Sequence, residues 1–332
     1  MNIPIKIAGL GFSVPKAIIT NDDLSKILDT SDEWIKTRTG IEKRHVLSGN
    51  ETVVQFGAEA AQKAVKAANF NVKDIDYIVV ATSLGTNIFP STACEIQSEI
   101  GADNAVCFDI SAACSGFIYA MEIGKSLIRS GSAKAVLVVA SEALSRCLDW
   151  TDRSTCVLFG DGAGAMLMTV SDDNQNDILS IDLKSEGDFN RYIQMRSSGK
   201  NCPLVEENTE GDMFIKMEGR EVYKYVVKKL PEFIESNIEK AGIKREEIDY
   251  FIPHQANMRI IEALQSRLNI PQEKVIANIQ EYANTSAASI PIAMAEAIEN
   301  SKIKLPAVAL LSGFGAGMTA GSAIVRLREG IV

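Results

Sequence analysis

Two segments of the chain repeat the same order of helix, acidic turn and apolar strand. They read AEAAQKAVKAANFNVKDIDYIVVAT (58–82) and FIESNIEKAGIKREEIDYFIPHQ (233–255). In both, apolar residues at helical spacing precede "IDY" and a short strand-like run. A repeat of this kind predicts two α/β halves of similar topology.

The segments that follow also correspond. After the first copy, a helix-like run begins near Cys114 and leads to the strand KAVLVVAS (134–141). After the second copy, NTSAASIPIAMAEAIEN (284–300) leads to PAVALLSGFG (306–315). Alternation of short Val/Ile-rich runs with helical segments is typical of an α/β protein with buried strands.

Each half closes on a glycine-rich stretch and a strand, FGDGAGAMLMTV (159–170) and FGAGMTAGSAIVRL (314–327). We therefore predict a first half of residues 1–172 and a second of 173–332, related by a pseudo-twofold axis. The polar, irregular segment 186–213 is longer than most connections in compact domains, which predicts a linker or a lid.

Composition restricts the function classes. The 332 residues are 46% hydrophobic and carry a net charge of -9, with a pI near 5.0. Nucleic acid is an unsuitable partner because phosphate binding needs a basic face. We expect no membrane span and a cytoplasmic location, since no signal peptide or long apolar run is present. The six cysteines form no C-x-x-C pair, so neither disulfides nor a metal site is expected.

Cys114 is the first candidate for chemistry. It lies among small residues in DISAACSGF (109–117), directly before an apolar helix-like run. The positive end of a helix dipole and free backbone N–H groups favour a thiolate, and small neighbours let another molecule reach the sulfur. The alternative is a packed core cysteine, which is how we interpret the other five.

A nucleophilic cysteine needs a partner that handles protons or hydrogen bonds, and the chain has two histidines. His254 follows the strand IDYFIP, where an open α/β sheet places its site, and we favour it over His45 in a charged stretch. Asn284 opens a helix in the second half as Cys114 does in the first. It is a candidate donor to a developing oxyanion, although an ordinary N-cap is the alternative.

The order Cys, His, Asn is also that of papain-like hydrolases. Those are secreted, disulfide-bearing chains with the nucleophile near the mature N-terminus, so this interpretation is remote.

Six motifs together resemble the β-ketoacyl-acyl carrier protein synthase III family, the condensing enzymes that initiate fatty-acid synthesis, and the resemblance covers almost the whole chain. The matching pieces are TSDEWIKTRTGIEKRH (30–45), AACSGF (112–117), TDRSTCVLFGDGAGA (151–165), PHQANMRII (253–261), NTSAAS (284–289) and GFGAGMTAGSA (313–323).

The resemblance implies a thiolase-like fold of two related halves, layered α-β-α-β-α. It places Cys114, His254 and Asn284 on the family's catalytic triad, with backbone N–H groups near Gly315 and Ala316 holding the oxyanion. The implied reaction is a decarboxylative Claisen condensation of a short acyl-CoA with malonyl-acyl carrier protein, without a metal or redox cofactor.

Further positions carry over from the same motifs. Trp34, Arg38, Arg153 and Asn257 would bind CoA, with the adenine sandwiched between Trp34 and Arg153. Phe89 resembles a residue that reaches from a partner subunit to cap the acyl pocket, which implies a homodimer.

A basic patch would receive the acidic carrier protein. Arg220, Lys224 and Lys228 share a predicted helix face, with Arg259 and Arg267 following the His254 strand; Lys224, Arg259 and Arg267 are the docking candidates. A solvated charged face is the alternative interpretation.

Two further observations concern the primer and the glycine-rich stretches. Many family members carry tryptophan where this chain has Ala320, which leaves the primer open. The stretches FGDGAGA and IAGLGFSVP lack a full dinucleotide-binding pattern, so we interpret them as tight turns.

Other functions remain open at this point. They are a secondary-metabolism condensing enzyme, a hydroxymethylglutaryl-CoA synthase, which would need a glutamate near the cysteine, and a non-catalytic acyl-binding protein.

Overall fold

A computed structural model describes residues 3–187, 190–196, 204 and 213–332. Its strands are β1 (Ile5–Ser13), β2 (Ala17–Thr20), β3 (Lys43–Val46), β4 (Tyr77–Ala81), β5 (Val106–Ile110), β6 (Ala135–Ala143), β7 (Asp161–Val170), β8 (Ile178–Ser185), β9 (Ile193–Gln194), β10 (Lys216–Met217), β11 (Tyr250–Pro253), β12 (Ala307–Gly315) and β13 (Thr319–Leu327). Its α-helices are α1 (Asn21–Leu24), α2 (Asp32–Thr39), α3 (Val53–Ala67), α4 (Thr92–Ile100), α5 (Gly116–Arg129), α6 (Gly219–Ala241), α7 (Met258–Arg267), α8 (Ile279–Tyr282) and α9 (Ser289–Glu299).

The two principal sheets repeat one strand order. The first runs β1-β7-β6-β4-β5 and the second β8-β13-β12-β11. In both, a parallel pair (β4 with β6, β11 with β12) continues into an antiparallel pair (β6 with β7, β12 with β13). The counterpart of β5 in the second sheet is reduced to one parallel bridge between Phe251 and Val275.

Five layers follow from where the apolar residues pack. One core cluster joins α5 and α9 to the inner faces of both sheets, through residues such as Val138 and Leu311. A second cluster packs α3 and α4 on the outer face of the first sheet, and a third packs α6 and α7 on the second. The α-β-α-β-α arrangement predicted from the sequence is confirmed, with α5 and α9 as its central layer. The boundary at 172/173 falls between β7 and β8 and stays a prediction.

The interpretation of the two glycine-rich stretches as tight turns is wrong, because both are extended strands. IAGLGFSVP contributes to β1 and FGDGAGA to β7, and these strands pair antiparallel. A Cβ on Gly9 would lie 2.0 Å from the Ala64 carbonyl oxygen of α3, and one on Gly164 would lie 2.6 Å from the Pro291 Cβ of α9. The glycines therefore allow helices to pack closely on the sheet.

The connection predicted as a linker or lid is described in part. Within it, residues 188–189, 197–203 and 205–212 lie outside the described residues, as does Cys202. The described part contains β9, which pairs antiparallel with β10. The five described cysteines are free thiols.

Candidate active site

The starts of the two central helices meet beside the end of β11 and border one cavity of about 540 Å³. Cys114, His254 and Asn284 all line it, together with Ala316 of the glycine loop. The three residues come from separate elements, so the folding of the two halves onto each other brings them together. His45 lies elsewhere: its Nδ1 is 2.6 Å from the Pro15 carbonyl oxygen, and its ring stacks on Tyr282.

Cys114 lies in a single 3-10 turn, Ala113–Ser115, one turn earlier than the α-helix itself begins. Ala113 has a left-handed backbone with a φ of 46°, which turns the chain sharply just before the cysteine. The Ser115 hydroxyl lies 2.8 Å from both the Ala112 carbonyl oxygen and the Thr319 hydroxyl. The bond to Thr319 fixes the nucleophile's turn to the first residue of β13.

Gly315 packs directly against the same turn. A Cβ at this position would lie 2.6 Å from the Cys114 backbone nitrogen and 2.9 Å from the Ala113 Cβ. Only a residue without a side chain fits this contact, so the predicted oxyanion loop and the nucleophile's turn are in close contact.

Burial opposes ionisation of the Cys114 thiol. The side chain is half-buried, yet desolvation raises its pKa to about 12 and outweighs the hydrogen bond from Ser286. The sequence suggested that the helix start favours a thiolate, but it did not show how dry the surroundings are. Desolvation therefore opposes the thiolate that the start of the helix favours.

His254 follows the last residue of β11 and is buried as a neutral ring. Burial lowers its pKa to about 3. Its Nδ1 lies 2.7 Å from the Ser289 hydroxyl, and the Gln255 N–H donates to that same hydroxyl oxygen at 3.3 Å. Because the oxygen already accepts one hydrogen bond, its own hydrogen is available to Nδ1. The hydrogen of the imidazole then resides on Nε2, which is a donor.

Asn284 is held by its backbone on both sides. Its N–H donates to the Leu158 carbonyl, and its own carbonyl accepts from Gly160 N–H. The side-chain Oδ1 accepts from the Ser286 N–H at 2.8 Å, which leaves the Nδ2 group as a donor. The bond from Ser286 N–H is of the kind an N-cap accepts, although the residue that directly precedes the 3-10 turn is Thr285, so the capping alternative applies to Oδ1 and leaves Nδ2 unused.

The residues predicted to bind CoA cluster around α2. The guanidinium carbons of Arg38 and Arg153 lie 4.5 and 5.1 Å from the centre of the Trp34 ring. Asn257 caps α7 by accepting from Arg259 N–H and donates from Nδ2 to the Arg38 carbonyl oxygen at 3.2 Å. Arg38 and Asn257 line the cavity mouth.

Phe89 and the basic patch lie on the surface. Phe89 is 85% exposed and does not line this chain's own cavity. Arg220, Lys224 and Lys228 lie on the exposed face of α6, which packs beside α7 with its exposed Arg259 and Arg267. Lys224 pairs with Glu221 at 2.7 Å, and Arg259 donates to the Thr37 carbonyl oxygen.

Sequence reasoning missed a wholly buried carboxyl group, Glu142, whose partner Ser83 lines the cavity. Glu142 in β6 accepts from the Ser83 N–H at 2.9 Å and from the Ser83 hydroxyl at 3.0 Å. Desolvation nevertheless raises the pKa of Glu142 to about 7. The sequence did contain a signal for this group, because the mainly apolar strand KAVLVVASE ends in a glutamate. A charged residue is buried in such a strand only when it has hydrogen-bonding partners.

Among the described residues, no group of three or more His, Cys, Asp and Glu side chains is arranged to hold a metal ion. The described helices include none with the length and apolar character that crossing a membrane requires.

The chain matches two family models. Residues 108–187 match 3-Oxoacyl-[acyl-carrier-protein (ACP)] synthase III, and residues 238–327 match 3-Oxoacyl-[acyl-carrier-protein (ACP)] synthase III C terminal.

Whole-chain relatives carry the same name. Beta-ketoacyl-[acyl-carrier-protein] synthase III of Aquifex aeolicus is 48% identical over 97% of this chain and 99% of its own, and that of Clostridium perfringens is 45% identical over the same shares. The crystal structure of the 3-oxoacyl-[acyl-carrier-protein] synthase III from Aquifex aeolicus superposes with a TM-score of 0.89 at 47% identity, covering 97% of this chain and 100% of that one. The chain belongs to the 3-oxoacyl-[acyl-carrier-protein] synthase III family of acyltransferases.

Proposed function

We propose that the enzyme condenses a short acyl-CoA primer, such as acetyl-CoA, with malonyl-acyl carrier protein. The products are a β-ketoacyl-acyl carrier protein, CoA and carbon dioxide, which initiates fatty-acid synthesis. One observation carries the proposal: a thiol, a neutral imidazole and a carboxamide line a single cavity. A papain-like hydrolase is excluded by the family to which the chain belongs.

In the first half-reaction, Cys114 attacks the carbonyl carbon of the acyl-CoA. Negative charge develops on the carbonyl oxygen, where the backbone N–H groups at the Cys114 turn and in the loop with Gly315 and Ala316 stabilise it. The turn and this loop are already in contact, so the donors need little rearrangement. The acyl group becomes a thioester of Cys114 and CoA leaves.

In the second half-reaction, malonyl-carrier protein occupies the cavity. Nε2–H of His254 and Nδ2–H of Asn284 donate to its thioester oxygen, which carries the enolate charge as carbon dioxide departs. Ser289 supports this role because it fixes the tautomer that donates. The carbanion attacks the acyl-cysteine and expels the Cys114 thiolate. Neither half requires electron transfer or a Lewis acid, so the reaction uses no cofactor beyond its two thioester substrates.

Trp34 and Arg153 support binding of the CoA nucleotide. Both present flat faces, and Arg38 lies on the same indole. An adenine ring entering between Trp34 and Arg153 would replace the present contact with stacking on both sides. Arg38 and Asn257 at the cavity mouth would then contact the rest of the nucleotide.

The basic patch on α6 and α7 supports docking of an acidic carrier protein. Local positive charge attracts such a partner even though the chain has a net charge of -9. Both substrates are thioesters of the cytoplasmic CoA and carrier-protein pools, so the reaction implies work in that compartment.

A homodimer is supported by two exposed apolar features of the first half. β5 is an edge strand of the first sheet, and Val106 on it is 53% exposed. Ile88 and Phe89 are also exposed large side chains. Pairing of β5 with a second copy would extend the sheet and cover Val106. Light scattering checks the dimer, and a monomer with full activity would remove Phe89 from the site.

The experiment that tests the function is intact-mass measurement after mixing the enzyme with a panel of acyl-CoAs, without malonyl-carrier protein. We expect a single acyl adduct on wild type, none on Cys114→Ala, and an unchanged adduct on the matched control Cys94→Ala, whose thiol is exposed. The acyl-CoA that reacts identifies the primer. The panel includes branched acyl-CoAs, because this chain has the small residue Ala320 at the position where many family members have tryptophan. No adduct with any acyl-CoA would overturn the proposal.

A further inference from the structure

The hydroxyl of Ser286 contacts the nucleophile and has no role in the reaction as described so far. It donates to the Cys114 sulfur, with 3.4 Å between the oxygen and the sulfur. Ser286 is 1% exposed and lines the catalytic cavity. The two residues come from different halves of the chain, so the contact exists only because the starts of the two central helices meet.

Ser115 shows what a purely structural serine looks like in the same place. It follows Cys114 directly in the chain, yet its hydroxyl contacts the Ala112 carbonyl oxygen and the Thr319 hydroxyl. Ser115 is not among the residues that line the cavity. It holds the turn in place, whereas Ser286 directs a hydrogen at the atom that reacts.

The backbone of Ser286 makes a separate contact. Its N–H donates to Asn284 Oδ1 at 2.8 Å, and its φ of 50° lies in the left-handed region that residues other than glycine seldom adopt. A strained conformation at a buried position persists where the surrounding structure requires it. The N–H therefore serves Asn284 and the hydroxyl serves Cys114, so a change of side chain separates the two contacts.

A donor at this position offsets the cost of placing charge on a buried sulfur. Desolvation raises the pKa of Cys114 to about 12, and the hydrogen bond from Ser286 acts in the opposite direction. A hydrogen bond to an ionised group is stronger than one to a neutral group, so the hydroxyl stabilises the sulfur most when it is negative. Negative charge develops there twice in each cycle, when the thiol attacks and when the thiolate leaves.

We propose that Ser286 is a catalytic residue that donates its hydroxyl hydrogen bond to the Cys114 sulfur as charge develops there, in acylation and again in condensation. The inference rests on the proposed function. It gives the second helix start a task in both half-reactions, because Ser286 acts on the nucleophile while Asn284 acts on the enolate.

The steps balance with the Ser286 hydrogen remaining on its own oxygen. In acylation, the bond from the Cys114 sulfur to the acyl carbon forms, the bond from that carbon to the CoA sulfur breaks, and the thiol proton ends on the CoA thiol. In condensation, the new carbon–carbon bond forms, the acyl carbon leaves the Cys114 sulfur, and the thiolate takes one proton from solvent. Ser286 stabilises the charged sulfur in both steps without exchanging a proton.

The test measures the reactivity of Cys114 in Ser286→Ala and Ser286→Gly, which both remove the hydroxyl and keep the backbone N–H. We expect single-turnover acylation by acetyl-CoA, followed by intact mass, to slow by about 10- to 100-fold in both, as for loss of a hydrogen bond to a charged group. Alkylation of Cys114 by iodoacetamide is followed by peptide mass spectrometry. It slows by only about 3- to 10-fold, because a thiolate of higher pKa is also more nucleophilic.

The glycine variant separates chemistry from folding. Glycine adopts a φ of 50° without strain, so Ser286→Gly is expected to melt at or above the temperature of Ser286→Ala. A defect caused by folding would recover in the glycine variant, whereas a missing hydroxyl leaves both variants equally slow. Decarboxylation of malonyl-carrier protein without primer stays within about twofold of wild type in both, because Asn284 keeps its backbone partner.

Thr285→Val is the matched control. Thr285 is wholly buried, and its hydroxyl has no hydrogen-bond partner among the described residues. The substitution removes a buried hydroxyl one residue away from Ser286, and we expect acylation and alkylation to stay within about twofold of wild type. Cys94, whose thiol is exposed, is the internal reference for alkylation in every sample.

A Ser286→Gly enzyme that acylates within about threefold of wild type overturns the proposal. Normal alkylation of Cys114 in a variant that acylates slowly also overturns it, since the hydroxyl would then act on the acyl-CoA and not on the sulfur. Absence of an adduct on wild type with any acyl-CoA, while alkylation of Cys114 still depends on Ser286, overturns the proposed function instead.

Discussion

The starts of α5 and α9 are built alike and carry different chemistry. Each follows a single 3-10 turn whose first residue has a left-handed backbone, Ala113 with a φ of 46° and Ser286 with a φ of 50°. Neither helix has a side-chain cap. They pack against each other at Gly116, where a Cβ would lie 3.4 Å from the Ala287 Cβ.

The difference lies in the side chains. The first start presents a thiol among small residues, and the second presents Asn284, Ser286 and Ser289, each bonded to a different group. One backbone design therefore provides a nucleophile in one half and hydrogen-bond donors in the other. Apart from the Ser286 hydroxyl, the proposed reaction uses the first start for acylation and the second for decarboxylation.

We expect the largest loss of activity from Asn284→Ala, which separates the role of the second helix start from that of the first. Asn284→Ala removes a donor to the enolate oxygen, so condensation falls by about 10²- to 10³-fold. Acylation of Cys114 by acetyl-CoA persists, since its oxyanion is held elsewhere. Steady-state condensation and intact mass, measured on one preparation, check this. Equal losses in both would show that the two helix starts act as a single unit.

Gly315→Ala breaks the contact that fixes the first start. The added methyl would lie 2.6 Å from the Cys114 nitrogen, so the turn or the loop must move. We expect acylation to fall by about 10- to 100-fold and unfolding free energy to drop by about 1–3 kcal/mol. Gly187→Ala is the control, because nothing lies within 4 Å of a Cβ there. Similar behaviour of the two variants in acylation assays and thermal melts would contradict the contact's importance.

Ser289→Ala tests the second helix start, and we expect a smaller loss of activity than for the two preceding variants. His254 loses the partner that selects its tautomer, so condensation falls by about tenfold while acylation is unaffected. The pKa of His254 is depressed to about 3, which keeps the ring neutral above that value. We therefore expect no histidine inflection in the condensation profile between about pH 5 and about pH 8. An inflection near the ordinary histidine pKa in wild type would refute the neutral donor.

The smallest effect comes from a residue that belongs to neither start. Trp34→Ala removes the ring on which Arg38 and Arg153 lie. Loss of stacking raises KM for acyl-CoA by about 5- to 20-fold and leaves kcat within about twofold. Initial rates at varied acyl-CoA give both constants. A fall in kcat with unchanged KM would move Trp34 from substrate binding into the chemistry.

Local patterns in the sequence selected two residues that the structure brings to one cavity. Cys114 and His254 were selected because small neighbours precede a helix in one case and a strand end precedes the other, and both line the cavity. The glycines of β1 and β7 were misread as turns, because close packing by α3 and α9 requires glycine just as a turn does. Composition of a short segment does not separate these two causes.

Sequence alone determined the α/β class, the repeated halves and the motifs that carry the family resemblance, since periodicity and residue type are local properties. Tertiary structure alone decided the state of each reacting group. Ser286 and Cys114 are 172 residues apart in the chain, yet their side chains are 3.4 Å apart. Desolvation by burial is the main cause of the pKa shifts of Cys114, His254 and Glu142. Such burial exists only once the two sheets have packed around α5 and α9.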